Sequence, residues 1–323
     1  MTERRSRNVY GPVPSRRLGS SLGVDIIPFK YCSYDCVYCQ LGRTTEKTIE
    51  RREYVPVNDV LEELKTSLKE GPEPAYISLA GSGEPTLNSE IGSLIRSIKS
   101  VTDIPVAILT NGSLLWMPEV RESLMSADLV LPSLDAGTGK VFRAVNRPHS
   151  GISFGVMVEG LARFASDFAG SVWLEVMVMA GLTDTREQIE SIVKSCQTIG
   201  PERVQLNTVY RPPAEDCART VSLEAMTGIR NTFPGFVEIV SPSDAAGAPG
   251  AESVRDREGA VLSMIRRRPC TAADVAAGLG LHITDAVKSL DRLSKEGTAV
   301  SERLEDRIYY RPADQIEEQA WTS

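Results

Sequence analysis

The strongest constraint on the fold is a regular alternation of short apolar runs with amphipathic segments over residues 22–240. Strand-like runs such as AYISLA, VAILT and DLVLPSL alternate with segments such as VNDVLEELKTSLKE, whose apolar residues recur at helical spacing. Strands that alternate with helices in this way predict βαβ units and a parallel sheet. About six such units exceed one mononucleotide-binding half, so the pattern predicts an α/β fold with a partial (β/α)6 barrel of the TIM type.

The alternation ends at the stretch SPSDAAGAPGAES, whose small residues and two prolines predict a linker over residues 241–254. Residues 255–323 then predict three short helices, with Thr271 and Thr284 as N-terminal caps, and two strands around a charged turn. Three helices and a hairpin are the winged-helix arrangement. The sequence therefore predicts two domains, a barrel over residues 1–240 and a small winged helix after the linker.

The composition is that of an ordinary globular protein, because 41% of the 323 residues are hydrophobic and 24% are charged. No apolar run approaches the roughly 18 to 20 residues of a membrane span, and the first residues lack the apolar stretch of a secretory signal. We therefore expect a cytoplasmic protein with no membrane partner. The net charge of -7 argues against broad attraction to nucleic acid. Five arginines near the start form a candidate local basic patch: Arg4, Arg5, Arg7, Arg16 and Arg17.

Half of the six cysteines stand close together, since Cys32, Cys36 and Cys39 have the spacing C-x3-C-x2-C. In a reducing cytoplasm such a cluster indicates a metal or redox site rather than disulfides. A zinc site would ordinarily draw four ligands, and the two histidines, His149 and His282, are far away in sequence. Three thiolates on one loop suit an iron-sulfur cluster with one open iron, because soft sulfur ligands select such clusters. Zinc, and simple burial as small hydrophobic residues, are the alternatives.

The setting of these cysteines gives the sequence a family resemblance. C-x3-C-x2-C, with the aromatic Tyr38 before the last cysteine and a βα chain around it, resembles the radical SAM superfamily. The resemblance implies that the three cysteines hold a [4Fe-4S] cluster, whose fourth iron binds S-adenosylmethionine, and that Tyr38 belongs to the cofactor site. It also implies reductive cleavage to a 5'-deoxyadenosyl radical that abstracts hydrogen, with a flavodoxin- or ferredoxin-like one-electron reductant.

The segment AYISLAGSGEPTL follows one βα unit later and resembles the glycine-glutamate motif of that superfamily. The resemblance implies that Gly81, Gly83 and Glu84 help to bind the amino group of S-adenosylmethionine. This chemistry is consistent, because glycines let the backbone approach a ligand and a carboxylate or carbonyls accept from an ammonium. Since the carboxyl ends of barrel strands build active sites, polar residues there are further candidates. We rank as cofactor contacts Asn111, Ser133, Asp135 and Glu175, ahead of Thr110, Gln205, Asn207 and Thr208.

Three longer segments narrow the resemblance. GPVPSRRLGSSLGVD, YDCVYCQLGRT and QLNTVYRPPAE resemble the bacterial and archaeal radical SAM proteins grouped with the wyosine-synthesis enzyme, which elaborates a guanosine of tRNA with pyruvate. That enzyme carries a second cluster on upstream cysteines, and no cysteine precedes Cys32 in this sequence. Cys196 and Cys270 are expected to pack in cores, while Cys217 follows the sixth strand near the barrel mouth.

Three functional classes are compatible with these features. The first is a radical SAM enzyme that modifies RNA, and the second is one that acts on a peptide, protein or small molecule with the winged helix as a docking module. The third is an iron-sulfur transcriptional regulator, against which the glycine-glutamate loop argues. Strong DNA binding is not expected, because the cations of the third helix are balanced by acids. The opposed residues are Lys288, Arg292 and Lys295 against Asp285, Asp291 and Glu296.

Overall fold

A computed structural model describes residues 8–240 and 257–314. The linker predicted over residues 241–254 and the first three arginines of the candidate basic patch lie outside these ranges. The strands, in chain order, are β1 (Val9–Ser15), β2 (Gly19–Val24), β3 (Tyr31–Cys32), β4 (Glu46–Lys47), β5 (Tyr76–Leu79), β6 (Val106–Thr110), β7 (Leu129–Pro132), β8 (Ser171–Val178), β9 (Arg203–Thr208), β10 (Val237–Ile239), β11 (Ala299–Leu304) and β12 (Arg307–Pro312).

The main feature is an eight-stranded sheet with the order β1-β2-β5-β6-β7-β8-β9-β10. All neighbouring strands from β2 to β10 are parallel, and β1 pairs antiparallel with β2 at one edge. The predicted α/β fold with a mostly parallel sheet is therefore confirmed. The two outermost strands, β1 and β10, are additions that the sequence pattern did not predict.

Helices connect the parallel strands and cover one face of the sheet. They are, in chain order, α1 (Val57–Glu70), α2 (Ile91–Lys99), α3 (Pro118–Leu124), α4 (Gly139–Val145), α5 (Phe154–Asp167), α6 (Arg186–Ile199) and α7 (Leu223–Arg230). The helices that follow the sheet are α8 (Arg257–Arg267), α9 (Ala272–Leu279) and α10 (Ile283–Lys295). No helix within the described ranges is both long and apolar enough to cross a membrane.

The alternation of side chains in β8 separates the two faces of the sheet. Leu174 and Val176 are fully buried and belong to the core that the helices complete. The residues between them point to the opposite face, which we call the inner face. In register, Glu175 pairs with Gln205 and Met177 pairs with Asn207, so β8 and β9 place these four side chains on the same inner face.

The C-terminal part consists of α8, α9 and α10 followed by the antiparallel hairpin of β11 and β12. It has its own small core, to which Val261, Val275 and Leu290 belong. It also contacts the sheet domain, since Arg211 Nε donates to the carbonyl oxygen of Pro269 over 3.1 Å. The Tyr309 hydroxyl donates to the Tyr210 carbonyl, and the Arg267 guanidinium lies 3.9 Å from the centre of the Tyr10 ring.

The two threonines predicted as helix caps have different outcomes. Thr271 caps α9 in a capping box, in which Asp274 N donates to its hydroxyl over 3.1 Å and Thr271 N donates back to the Asp274 carboxylate over 2.9 Å. The prediction for Thr284 is wrong, because α10 begins earlier and its cap is His282. The Nδ1 atom of that histidine accepts from Thr284 N over 3.3 Å.

We predict that the substitution Thr271→Ala destabilises α9 by about 1 kcal/mol, because the first turn loses its side-chain acceptor. Amide hydrogen exchange in α9 should accelerate about fivefold as a result. Thr284→Ala is the matched control and should leave α10 unchanged, since the cap does not use its hydroxyl. Equal acceleration in both variants would contradict this assignment of the caps.

Candidate functional site

The cysteine loop, residues 28–45, leaves β2 at the carboxyl end of the parallel sheet. Cys32, Cys36 and Cys39 are all free and half-buried. Each sulfur accepts one hydrogen bond from a side-chain nitrogen at 3.5 Å, and each donor comes from a different part of the chain. The donors, in the order of the cysteines, are Asn111 Nδ2, Asn146 Nδ2 and Lys30 Nζ.

These surroundings fit three thiolates that bind an iron-sulfur cluster. Nitrogen donors to cluster sulfurs are the interactions by which proteins hold and tune such groups. Without a cluster, burial raises the pKa of the Cys32 thiol to about 12 and raises that of Cys36 as well. Within residues 8–240 and 257–314, no three His, Cys, Asp or Glu side chains are placed to hold a single metal ion. A four-iron cluster is larger and takes its three cysteines at separate corners.

The glycine loop, residues 80–84, pairs with the cysteine loop through the backbone. Lys30 N donates to the Ser82 carbonyl over 2.7 Å, and Glu84 N donates to the Tyr31 carbonyl over 3.1 Å. A Cβ atom at position 83 would lie 1.8 Å from the Tyr31 carbonyl oxygen, so this approach requires glycine. The two predicted halves of the site are therefore adjacent, and Gly83 is where they meet.

Glu84 links the ends of two neighbouring strands. One carboxylate oxygen accepts from Thr86 N over 3.0 Å and from the Thr110 hydroxyl over 2.6 Å, and the other accepts from Asn111 N over 2.7 Å. Burial raises the pKa of this carboxyl, and the hydrogen bonds oppose that rise. The carboxylate thus fixes the loops after β5 and β6, and a direct contact between Glu84 and a cofactor stays a prediction.

Asp25 is a site residue that the sequence reasoning missed, although it directly follows β2. Its carboxylate accepts from Ser82 N over 3.0 Å, from the Ser82 hydroxyl over 2.5 Å and from Ile27 N over 3.3 Å. Arg267 of the C-terminal part lies 3.6 Å away. Burial is the main reason why the pKa of Asp25 is raised, against the lowering effect of these partners. A Cβ atom at position 81 would meet this carboxylate at 2.4 Å, which explains Gly81.

Asp135 and Tyr38 lie on the other side of the cysteine loop. The Tyr38 hydroxyl donates to Asp135, which also accepts from Asn146 Nδ2 over 2.8 Å and from Met177 N over 3.0 Å. Burial raises the pKa of Asp135 to about 6, even though these donors lower it. Since Asn146 also donates to Cys36, it joins the cysteine loop to β7 and β8. No sequence signal indicated Asn146.

Two ranked candidates, Glu175 and Ser133, lie on the inner face beside this network, where Leu134 N donates to the Glu175 carbonyl over 2.8 Å. Glu175 accepts from Arg17 Nη2 over 2.7 Å, and Ser133 forms a β-bridge with Glu175. The structure thus gathers most of the predicted cofactor residues around the cysteine loop and gives Glu175 a partner within the chain. The role of each as a contact of S-adenosylmethionine stays a prediction.

The other three cysteines, Cys196, Cys217 and Cys270, take no part in this hydrogen-bonded arrangement. Cys196 is buried in the main core and Cys270 in the core of the C-terminal part. Cys217 is exposed and lies near Arg147, whose guanidinium donates to Glu215 over 2.8 Å.

Comparison with known proteins assigns the class. The family model of the radical SAM superfamily matches residues 26–196, which contain the cysteine loop, the glycine loop and β5 to β8. This match covers more than half of the chain, and the chain therefore belongs to the radical SAM superfamily. It is accordingly an iron-sulfur enzyme that uses a [4Fe-4S] cluster and S-adenosylmethionine, and enzymes of this family need an external reductant.

Sequence relatives narrow the assignment to the UPF0026 proteins. A UPF0026 protein of Methanocaldococcus jannaschii is 37% identical over 226 residues, which cover 69% of this chain and 70% of that protein. A Brachyspira hyodysenteriae protein called GTPase Obg is 38% identical over 308 residues, which cover 95% of this chain. The chain spans only 45% of that second protein's length, and the name of the longer protein does not pass to this chain.

A solved structure agrees with the fold. The crystal structure of a radical SAM methyltransferase from Sphaerobacter thermophilus superimposes with a TM-score of 0.53 at 16% sequence identity, covering 70% of this chain and 69% of that one. At this identity the likeness shows the fold alone.

We predict that Lys30→Met makes the reduction potential of the reconstituted cluster more negative. Lys30 is buried and donates to Cys39, so its charge favours the extra electron of the reduced cluster. The measurement is a redox titration followed by electron paramagnetic resonance. Lys47→Met is the matched control, because Lys47 is exposed and bonds the Arg147 carbonyl instead. Equal potentials in the two variants would contradict a role for Lys30 at the cluster.

We also predict that Gly83→Ala separates the glycine loop from the cysteine loop. The added methyl group cannot fit against the Tyr31 carbonyl, and forced repacking of this kind typically costs about 1–3 kcal/mol. The melting temperature and the affinity for S-adenosylmethionine in calorimetry should both fall. Gly155→Ala is the control, since nothing lies within 4 Å of the added atom. Unchanged affinity in Gly83→Ala would argue against the glycine loop as a cofactor site.

Proposed function

We propose that this enzyme uses the 5'-deoxyadenosyl radical to take a hydrogen atom from a substrate held on the inner face of the sheet. The observation that carries the proposal is the backbone pairing of the cysteine loop with the glycine loop at the carboxyl ends of the strands. When bound, the cluster and S-adenosylmethionine would supply this radical, with methionine as the other product, after one electron arrives from an external reductant, for which we propose a flavodoxin- or ferredoxin-like protein. The hydrogen taken from the substrate completes 5'-deoxyadenosine.

The roles of the chain's own residues follow from their positions. We assign the cluster to Cys32, Cys36 and Cys39, which the three nitrogen donors keep in place. The cofactor would lie against the glycine loop, within reach of the side chains ranked from sequence. The buried carboxylates of this region lower the cost of a positively charged ligand such as a sulfonium. They are Asp25, Glu84 and Asp135.

The substrate that these features favour is a small molecule or a group of a peptide or protein. The inner face between β7 and β10 is lined by polar side chains, among them Glu175 and Gln205. Arg16 and Arg17, which the sequence analysis assigned to a surface patch, both turn toward this face: Arg17 pairs with Glu175 and Arg16 stacks over Tyr210. These two side chains therefore make contacts within the protein and do not contribute to a basic surface for RNA.

An RNA substrate is the second candidate, and its support is the resemblance to the group that contains the wyosine-synthesis enzyme. A tRNA reaction of that kind would need a positively charged docking surface. The net charge of -7 and the inward direction of Arg16 and Arg17 favour the first candidate over it.

We infer that α8 to α10 and the β11–β12 hairpin form a winged-helix domain. The order of three helices and a hairpin supports this. Its contacts through Arg211 and Arg267 place it against the sheet domain, where it would act as a wall and docking module of the substrate site. Its balanced charges support a protein or small-molecule role rather than DNA binding.

We predict that the anaerobically reconstituted enzyme forms 5'-deoxyadenosine with dithionite and S-adenosylmethionine, and that Cys36→Ala forms none. Cys217→Ala is the matched control and should keep the activity, because this exposed cysteine lies outside the three-cysteine loop. The product is measured by chromatography with mass detection. Loss of product in both variants, or in neither, would contradict the assignment of the cluster.

The substrate class is tested by hydrogen transfer. Deuterated small-molecule and peptide fractions and deuterated tRNA are supplied separately, and deuterium in 5'-deoxyadenosine is measured. Transfer from the first two supports our choice, whereas transfer from tRNA alone would establish the second candidate.

A further inference from the structure

We infer that Arg16 binds an oxyanion group, a carboxylate or a phosphate, of a ligand that also meets the Asn207 amide on the inner face. Calling that ligand the substrate rests on the proposed function, but the binding site itself does not. Glu175 relates the two residues: its charge acts on Arg16, and the register of β8 and β9 places Asn207 on the same inner face as Glu175.

Arg16 is a half-buried cation with a free donor. It stands in the turn between β1 and β2, and its guanidinium lies 4.9 Å from the centre of the Tyr210 ring. Its Nη1 atom is shielded from solvent and has no hydrogen-bond partner within the described residues. Burial, together with Arg211 and Arg17, lowers the pKa of Arg16 to about 10. A guanidinium nitrogen that is shielded from solvent and has no acceptor lowers the stability of the fold, and a bound anion would supply that acceptor.

The neighbouring arginines already have carboxylate partners. Arg17 pairs with Glu175 through both Nε and Nη2, and Arg211 lies 3.6 Å from Asp274 of the C-terminal part. Glu175 also attracts Arg16, but Arg17 already occupies both oxygens of that carboxylate. Among the charged groups that the structure places here, Arg16 is the cation left in need of an anion.

Asn207 supplies a second, independent sign of a ligand. This residue is only 1% exposed, and neither its amide nitrogen nor its amide oxygen has a partner in the part of the chain that the structure describes. Buried amide groups are almost always hydrogen-bonded, so two unpartnered atoms require an explanation. Asn207 lies one inward position beyond Gln205, toward the carboxyl end of β9 and the cofactor.

The chemistry of the two residues indicates the kind of ligand. A guanidinium binds carboxylate or phosphate oxygens in a fork, and an amide offers one donor group and one acceptor beside it. One cation without a partner suits a single oxyanion group. A ligand that reaches from Arg16 to Asn207 would thereby present its remaining atoms toward the cofactor end of the inner face.

The test measures the melting temperature of the reconstituted full chain in sodium acetate, sodium phosphate and sodium chloride at equal ionic strength. A ligand that binds only the folded state stabilises it, and at ten times its dissociation constant the increase should be about 2–4 °C for a protein of this size. We expect acetate or phosphate, but not chloride, to raise the melting temperature of the wild type. A response to acetate identifies a carboxylate site and a response to phosphate identifies a phosphate site.

We expect Arg16→Gln to abolish this increase. Arg163→Gln is the matched control, because Arg163 is exposed and pairs with Glu159, and it should respond as the wild type does. Arg16→Lys keeps the charge without the fork and should respond more weakly, which preserves the test if Arg16→Gln does not fold. The inference is overturned if the wild type responds to neither anion, or if the Arg16 variants respond like the wild type. Because the readout is unfolding, this result is independent of whether 5'-deoxyadenosine forms.

Discussion

The backbone pairing between the cysteine loop and the glycine loop is the contact on which the rest of the site depends. Two hydrogen bonds, from Lys30 N to the Ser82 carbonyl and from Glu84 N to the Tyr31 carbonyl, hold the cysteine loop next to the glycine loop, which we propose binds S-adenosylmethionine. The pairing exists only because position 83 carries no side chain. The relative position of the two loops is therefore set by main-chain atoms, which have less freedom to vary than side chains.

Around this pairing, most polar side chains form hydrogen bonds with other groups of the chain. Asp25, Glu84 and Asp135 each accept several hydrogen bonds and each fix a different strand end to the loops. Burial raises the pKa of all three, and the donors offset part of that cost. The hydrogen bonds of these carboxylates hold the loops at the strand ends in one arrangement.

The sequence predicted much of this because its signals are local. The central strands β5, β6 and β7 are short, largely apolar runs, and the three cysteines fall within one loop. The edge strand β1 was hidden because VYGPVPS contains two prolines and a glycine, which normally argue against a strand. The contact of Asn146 with Cys36 spans 110 positions, and no spacing rule reaches that far. The sequence also did not show why position 83 must be glycine, because the requirement comes from contact with the cysteine loop and not from the turn that contains Gly83.

The salt bridge between Arg267 and Asp25 joins two parts of the chain that the sequence pattern separates. Asp25 holds the glycine loop through Ser82, so Arg267 acts on that loop from the C-terminal part. Ligand binding at the glycine loop and docking of the C-terminal part are two equilibria that this contact can couple, and such coupling is reciprocal. If filling the cofactor site strengthens the hold of the barrel on its C-terminal part, then a partner that pulls this part away must weaken cofactor binding by the same factor.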